Sequence, residues 1–132
     1  MERARFITHR GQRILFLDFS ELQETDEILS TIEQAKVLIV QEPKGSVLAL
    51  THVQNAKSHA EVTQALKDLA AHNKPYVLAS AVVGMSPVYR MVLEAVRLFA
   101  KRDIRACDSL VAGKDWLVQQ VYAQKSAEQP VG

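Results

Sequence analysis

Cysteine is almost missing from this sequence. Its one thiol, Cys107, rules out an intramolecular disulfide and any metal site built from cysteine alone. No excess of either charge exists: 16 basic residues stand against 15 acidic ones, and neither sign forms a long block. That balance removes the electrostatic reason to expect a nucleic acid or an anionic membrane surface as partner. No apolar run approaches the roughly 20 residues of a membrane span. The opening residues Met1 to Arg5 lead into no apolar stretch of signal-peptide length, so the expected location is the cytoplasm. A phosphate-binding glycine loop and a dinucleotide fingerprint are both absent. Gly84-Met-Ser-Pro87 lacks the glycine after the serine that a nucleophile elbow requires.

What is there is ordinary globular material. The chain has 132 residues, 48% of them hydrophobic and 23% charged, enough for one domain that buries roughly two thirds of its unfolded surface. Arg5 to His9 and Ile14 to Phe19 read as two strands joined by a turn at Arg10-Gly-Gln-Arg13, an antiparallel hairpin. The second is almost continuously apolar, which predicts burial on both faces. From Asp26, apolar residues at Ile28, Leu29, Ile32, Ala35, Ile39 and Val40 predict a helix to about Gln41, capped by Thr25 or Ser20. Val47 to Thr51 is a third strand. A helix capped by Asn55 or Ser58 then carries Val62, Ala65, Leu66 and Leu69, and Asn73 suits a left-handed closing position.

The chain is organised around the next stretch. Pro75 opens a strand that runs to the turn at Gly84; Ser86 and Pro87 start a helix with Val88, Met91, Val92, Ala95, Val96 and Phe99 at helical spacing. Lys101 to Asp103 ends that helix. Ile104 to Cys107 is a short edge strand, and Asp108 or Ser109 caps a last helix burying Trp116, Leu117, Val121 and Tyr122. The expected fold class is α/β: a mixed sheet of about five strands covered by four helices, in the order ββαβαβαβα. Residues 1–123 form the single domain, and 124–132 form a tail expected to fray.

Ligands of open α/β sheets sit beyond the carboxyl ends of the strands. Three connections qualify: Asp18 to Asp26, His52 to His59, and Val82 to Pro87. The last offers a ligand-binding candidate set of Val83, Gly84, Met85, Ser86, Tyr89 and Arg90. Gly84 would let backbone approach a guest, the amides at Pro87 would favour an anion, and Arg90 would add a charge-assisted contact. The plainer reading outweighs it: Gly84 and Ser86 merely turn and cap the chain. The four histidines are read as polar surface residues before catalytic ones. His52 and His59 share one connection without the spacing of a metal site. Neither catalytic residues, a metal nor a cofactor is therefore expected.

The chain resembles the STAS-like proteins, the group that holds bacterial anti-sigma-factor antagonists and sulphate-transporter cytoplasmic domains. The matching stretches are Ile14 to Ser20, Ser46 to Thr51 with Asn55 to Lys57, His72 to Tyr76 running into Ala79 to Gly84, and Lys114 to Leu117. The resemblance implies a small single-domain bacterial protein with a regulatory, protein-binding role. It also implies a phosphorylatable serine in the turn after the third strand. By position this is Ser58, within Lys57-Ser-His-Ala60, although Lys57 replaces the family's acidic residue and Ala60 its glycine. Asn55, Lys57, Ser58 and His59 are thus the regulatory or partner-binding candidates, the partner being another protein or a second copy of the chain. The alternative is a carrier for a small anionic ligand or a lipid, using an apolar cleft near Val83, Met85 and Tyr89. A hydrolase or transferase built on His52, His59 and Ser58 is a third reading.

Overall fold

The computed structural model describes residues 2–128. Strands β1 (Ala4–His9), β2 (Gln12–Asp18), β3 (Val47–His52), β4 (Val77–Val83) and β5 (Arg105–Cys107) form one sheet in the spatial order β1-β2-β3-β4-β5. The helices are α1 (Thr25–Ile39), α2 (Ala60–Asn73), α3 (Pro87–Ala100) and α4 (Leu110–Glu128). The expected ββαβαβαβα order and mixed sheet are observed. β1 pairs antiparallel with β2 through a two-residue turn at Arg10 and Gly11, both with positive φ, and every later pairing is parallel.

Each crossover from β2 to β5 steps in the same direction across the sheet. A right-handed connection that always steps the same way must place its helix on the same face. So α1, α2 and α3 cover one face, meeting Leu15, Leu17, Val47 and Val82. After β5 the chain passes to the other face, where α4 alone packs through Leu117 on Ile14, Phe16, Leu48, Leu50, Ala81 and Val83. The alternation along β2, with Ile14 and Phe16 facing one way and Leu15 and Leu17 the other, is why its sequence reads as one unbroken apolar run. α4 lies close because Gly113 sits at the contact: a Cβ there would meet Leu50 Cδ1 at 3.0 Å and Val83 Cγ2 at 3.2 Å.

Several local expectations need correction. No side chain caps α1: its N-cap is Glu24, with Thr25 already helical. α2 is capped by His59, and neither Asn55 nor Ser58 does so. Asn73 is right-handed at φ −80°, because α2 runs straight into a 3-10 turn over Lys74–Tyr76 that contains Pro75; β4 then starts at Val77. The buried stripe of α3 is Tyr89, Val92, Leu93, Val96 and Ala100, while Val88, Met91 and Phe99 face outward. Tyr122 is likewise exposed, and α4 continues to Glu128 where a frayed tail from Gln124 was expected; residues 129–132 lie outside the described residues. Ser109 caps α4 as expected, accepting from Ala112 N at 3.0 Å, and Lys101 closes α3 in the left-handed conformation.

Candidate functional site

The three connections at the carboxyl edge do converge, and they converge by bonding to each other. Glu21 N donates to Gln54 O at 2.8 Å, Lys57 N to Leu22 O at 2.8 Å, and Val53 N to Val83 O at 2.9 Å. Asn55, held at a positive φ of 55°, donates from Nδ2 to Glu21 Oε1 at 2.9 Å and accepts from Gln23 Nε2 at 2.5 Å. Gly84, at φ +83°, closes the third side: a Cβ there would lie 2.8 Å from Gln54 Cβ and 2.9 Å from Gln54 N. The close approach that Gly84 allows is therefore to its own chain and leaves no space for a guest at that point.

The rest of the turn follows the plainer reading. Ser86 Oγ accepts from Tyr89 N at 3.2 Å, so Ser86 caps α3 with Pro87 at its start. Arg90 is exposed on the first turn. Val83 points to the α4 face, against the expectation that it lines a cleft with Met85 and Tyr89; strand alternation sends Val82 to the three-helix face instead. Tyr89 is buried and donates from its hydroxyl to Lys57 O at 2.7 Å. Burial pushes its phenol up to about 12.

Among the regulatory candidates, Lys57 acts here through its backbone. Ser58 is half-buried and lies immediately before the α2 cap. His59 Nδ1 accepts from Glu61 N at 3.1 Å, which places the proton of the neutral ring on Nε2, where it donates to Thr25 Oγ1 at 2.8 Å. The same ring thus caps α2 and ties it to the start of α1. His52 instead faces Asp18, its Nδ1 3.7 Å from Oδ1 and too far for a hydrogen bond. Asp18 is already engaged by Ser20, whose Oγ donates at 2.5 Å and whose N donates at 3.0 Å. Among the described residues, His52 and His59 share no partner, and no serine is bonded to either of them. The remaining histidines also hold the fold. His9 Nε2 meets Asp115 Oδ1 at 2.7 Å, tying β1 to α4, and His72 Nδ1 bonds Asn73 Oδ1 at 2.9 Å. Among the described residues, no group of three or more His, Cys, Asp or Glu side chains is placed to hold a metal ion. Burial raises the Cys107 thiol, and Asp108 adds to this against the opposing charge of Arg105, which disfavours the nucleophilic thiolate.

Two features of the three-helix side were missed by the sequence reading. One is a cavity of about 90 Å³ beneath the sealed loops, between α2, α3 and strands β3 and β4. Met85 and Tyr89 stand on its lining, and so do Arg102, Ser80 and Asn73. The other is an apolar strip on the outside of α3, where Met91 is 75% and Leu98 78% exposed, flanked by Val88 and Phe99. Lys67 Nζ from α2 lies 5.7 Å from the Phe99 ring centroid. In sequence, the strip is hidden because α3 carries apolar residues on more than one face. Arg102 is hidden inside a charged triplet that reads as a helix stop. Among the described residues, no helix is long and apolar enough to cross a membrane. Compared with protein-family models, with curated proteins and with solved structures, the chain matches none.

Proposed function

We propose that this chain is a non-enzymatic regulatory domain, of the STAS-like kind its sequence resembles, that acts by binding a protein. The outer strip of α3 is its contact surface. One observation carries the reading: Val88, Met91, Leu98 and Phe99 stand exposed together along a helix whose other apolar face is fully used in the core. Lone exposed apolar residues are common, whereas a contiguous strip of large ones marks an interaction surface. The partner-binding face is thus one helix further along the chain than the Ser58 turn suggests. The carboxyl edge supports a binding role over a catalytic one, since Glu21, Gln54 and Asn55 there are bonded to one another and no serine is bonded to His52 or His59 among the described residues.

Replacing Met91 with a photo-crosslinking residue in the producing cell tests this. A discrete adduct is expected, and Leu98→Glu should abolish it while leaving the thermal midpoint unchanged. An adduct of twice the chain's mass identifies a homodimer, and any other mass a different protein. Absence of any adduct, or an adduct indifferent to Leu98→Glu, overturns the reading.

A further inference from the structure

A different observation, independent of the α3 strip, concerns the cavity beneath the loops. Native cores leave few voids larger than a water molecule. Here a space of about 90 Å³ persists, walled by Leu66, Leu93 and Val96, with alanines at 49 and 70 where larger side chains would have filled it. Its polar groups gather around Arg102, which enters just after the end of α3.

Arg102 is the charged donor among them. The Arg102 guanidinium gives Nη1–H to Ala70 O at 3.3 Å and Nη2–H to Ser80 Oγ, two neutral acceptors out of reach of any ion pair. Among the described residues no carboxylate lies within ion-pairing distance of it. A guanidinium carries five N–H donors, so more remain to be used. Ser80 Oγ, accepting from Arg102, keeps its own hydrogen to donate. Asn73, buried on the same lining, has its Oδ1 engaged by His72 Nδ1 at 2.9 Å. Burial of the unpaired cation draws Arg102 down to about 10. Arg102 is partly exposed, and a bound carboxylate would give it the counter-charge it lacks among the described residues.

We propose that the cavity is a binding site for a small organic acid, its carboxylate on Arg102, Ser80 and Asn73 and its apolar body among Leu66, Leu93 and Val96. The space of about 90 Å³ suits an apolar body of about four carbons, by comparison with the roughly 150 Å³ cavity that accepts benzene, with the carboxylate outside it on the partly exposed Arg102. Met85 at the other end of the cavity is flexible enough to adjust to the chain length.

The probe is 3-methylbutanoate, with 3-methylbutanol as its uncharged counterpart, each titrated into protein carrying ¹³C-labelled methyl groups. Saturable shifts of the Leu66, Leu93 and Val96 methyl signals are expected with the acid at millimolar concentration. The alcohol should bind at least about tenfold more weakly, the loss that one charge-assisted hydrogen bond produces. Arg102→Met should erase that preference. Should this variant fail to fold, Ser80→Ala, which removes a neighbouring donor, should weaken the acid severalfold and the alcohol little. Equal affinity of wild-type protein for acid and alcohol overturns the proposal, since Arg102 then only closes the last turn of α2 through Ala70 O. Shifts confined to surface signals, or none, overturn it as well. Either result leaves the crosslinking at Met91 unaffected.

Discussion

On one face of the sheet a single helix, α4, presses so closely that a glycine is needed at the contact. Leu117, Ile14 and Leu50 there have no exposed surface at all. On the other face three helices cover a wider area and leave a cavity, with a charged side chain in its wall. The same strands supply both faces by alternation, so composition cannot explain the difference. Geometry does: one helix can settle to its closest approach, whereas three helices joined to the sheet and to one another must find a joint compromise, and Ala49 and Ala70 sit where that compromise leaves space. The tight face is thus the better anchor, and the loose face is the one with room for a second molecule.

The largest expected effect tests the anchor. Leu117→Ala should cost about 2–5 kcal/mol, the range for emptying a fully packed leucine site, read from urea unfolding. Gly84→Ala comes next. It combines a positive φ with a contact against Gln54 backbone and should cost about 2–3 kcal/mol by the same measurement, unfastening the loops that roof the cavity. The comparison itself is sharpened by a pair of equal enlargements. Ala81→Val on the α4 side should cost about 1–3 kcal/mol through overpacking, whereas Ala49→Val on the cavity side should stay within about 0.5 kcal/mol or stabilise. Equal costs would show that the two faces are packed alike.

Tyr89→Phe should cost about 1 kcal/mol, the net worth of its bond to Lys57 O. Its pH profile adds a second check. The folded phenol is raised from 10.0 to about 12, so folding favours the neutral form. That stability is complete below pH 10 and is lost as pH rises towards 12, and Tyr89→Phe should flatten this limb of a plot of thermal midpoint against pH. The smallest effect belongs to Asp115, whose carboxyl is held low first by its hydrogen bond to His9 and then by the charge of Arg10. Folding favours the ionised form, so its contribution is present above the usual carboxylate range and fades as pH falls through the lowered value. Asp115→Asn should shallow the acid limb slightly.

The order of elements was legible because the chain punctuates itself. Gly11, Gly45 and Gly84 fall at turns with positive φ, and the apolar period switches between strand and helix at the last two. The helical spacing of Ile28, Ile32, Ala35 and Ile39 marks the buried side of α1, while Val37 faces out. Local signals failed where a distant partner decided the outcome. His59 caps α2 because Thr25, far off in sequence, fixes its ring; Asn73 stays right-handed because Pro75 follows in a turn whose carbonyl accepts from Gly45 N. Of the proposed ligand set, Met85 and Tyr89 do reach a cavity, but its charge comes from Arg102, which arrives from the far end of α3. No local pattern distinguishes that arginine from the surface charges beside it.

The direction of the crossovers also governs how the molecule is built. Strands from β2 to β5 join one growing edge in the order in which they are synthesised, and each brings its own helix to the same side. The underside formed by Ile14, Phe16, Leu48 and Leu50 receives no cover from any of them. A nascent chain that has released everything up to Cys107 therefore presents a broad, water-averse surface to solvent, and only the arrival of Leu117 on the last helix covers it. Until that moment the uncovered sheet face makes the polypeptide prone to aggregate.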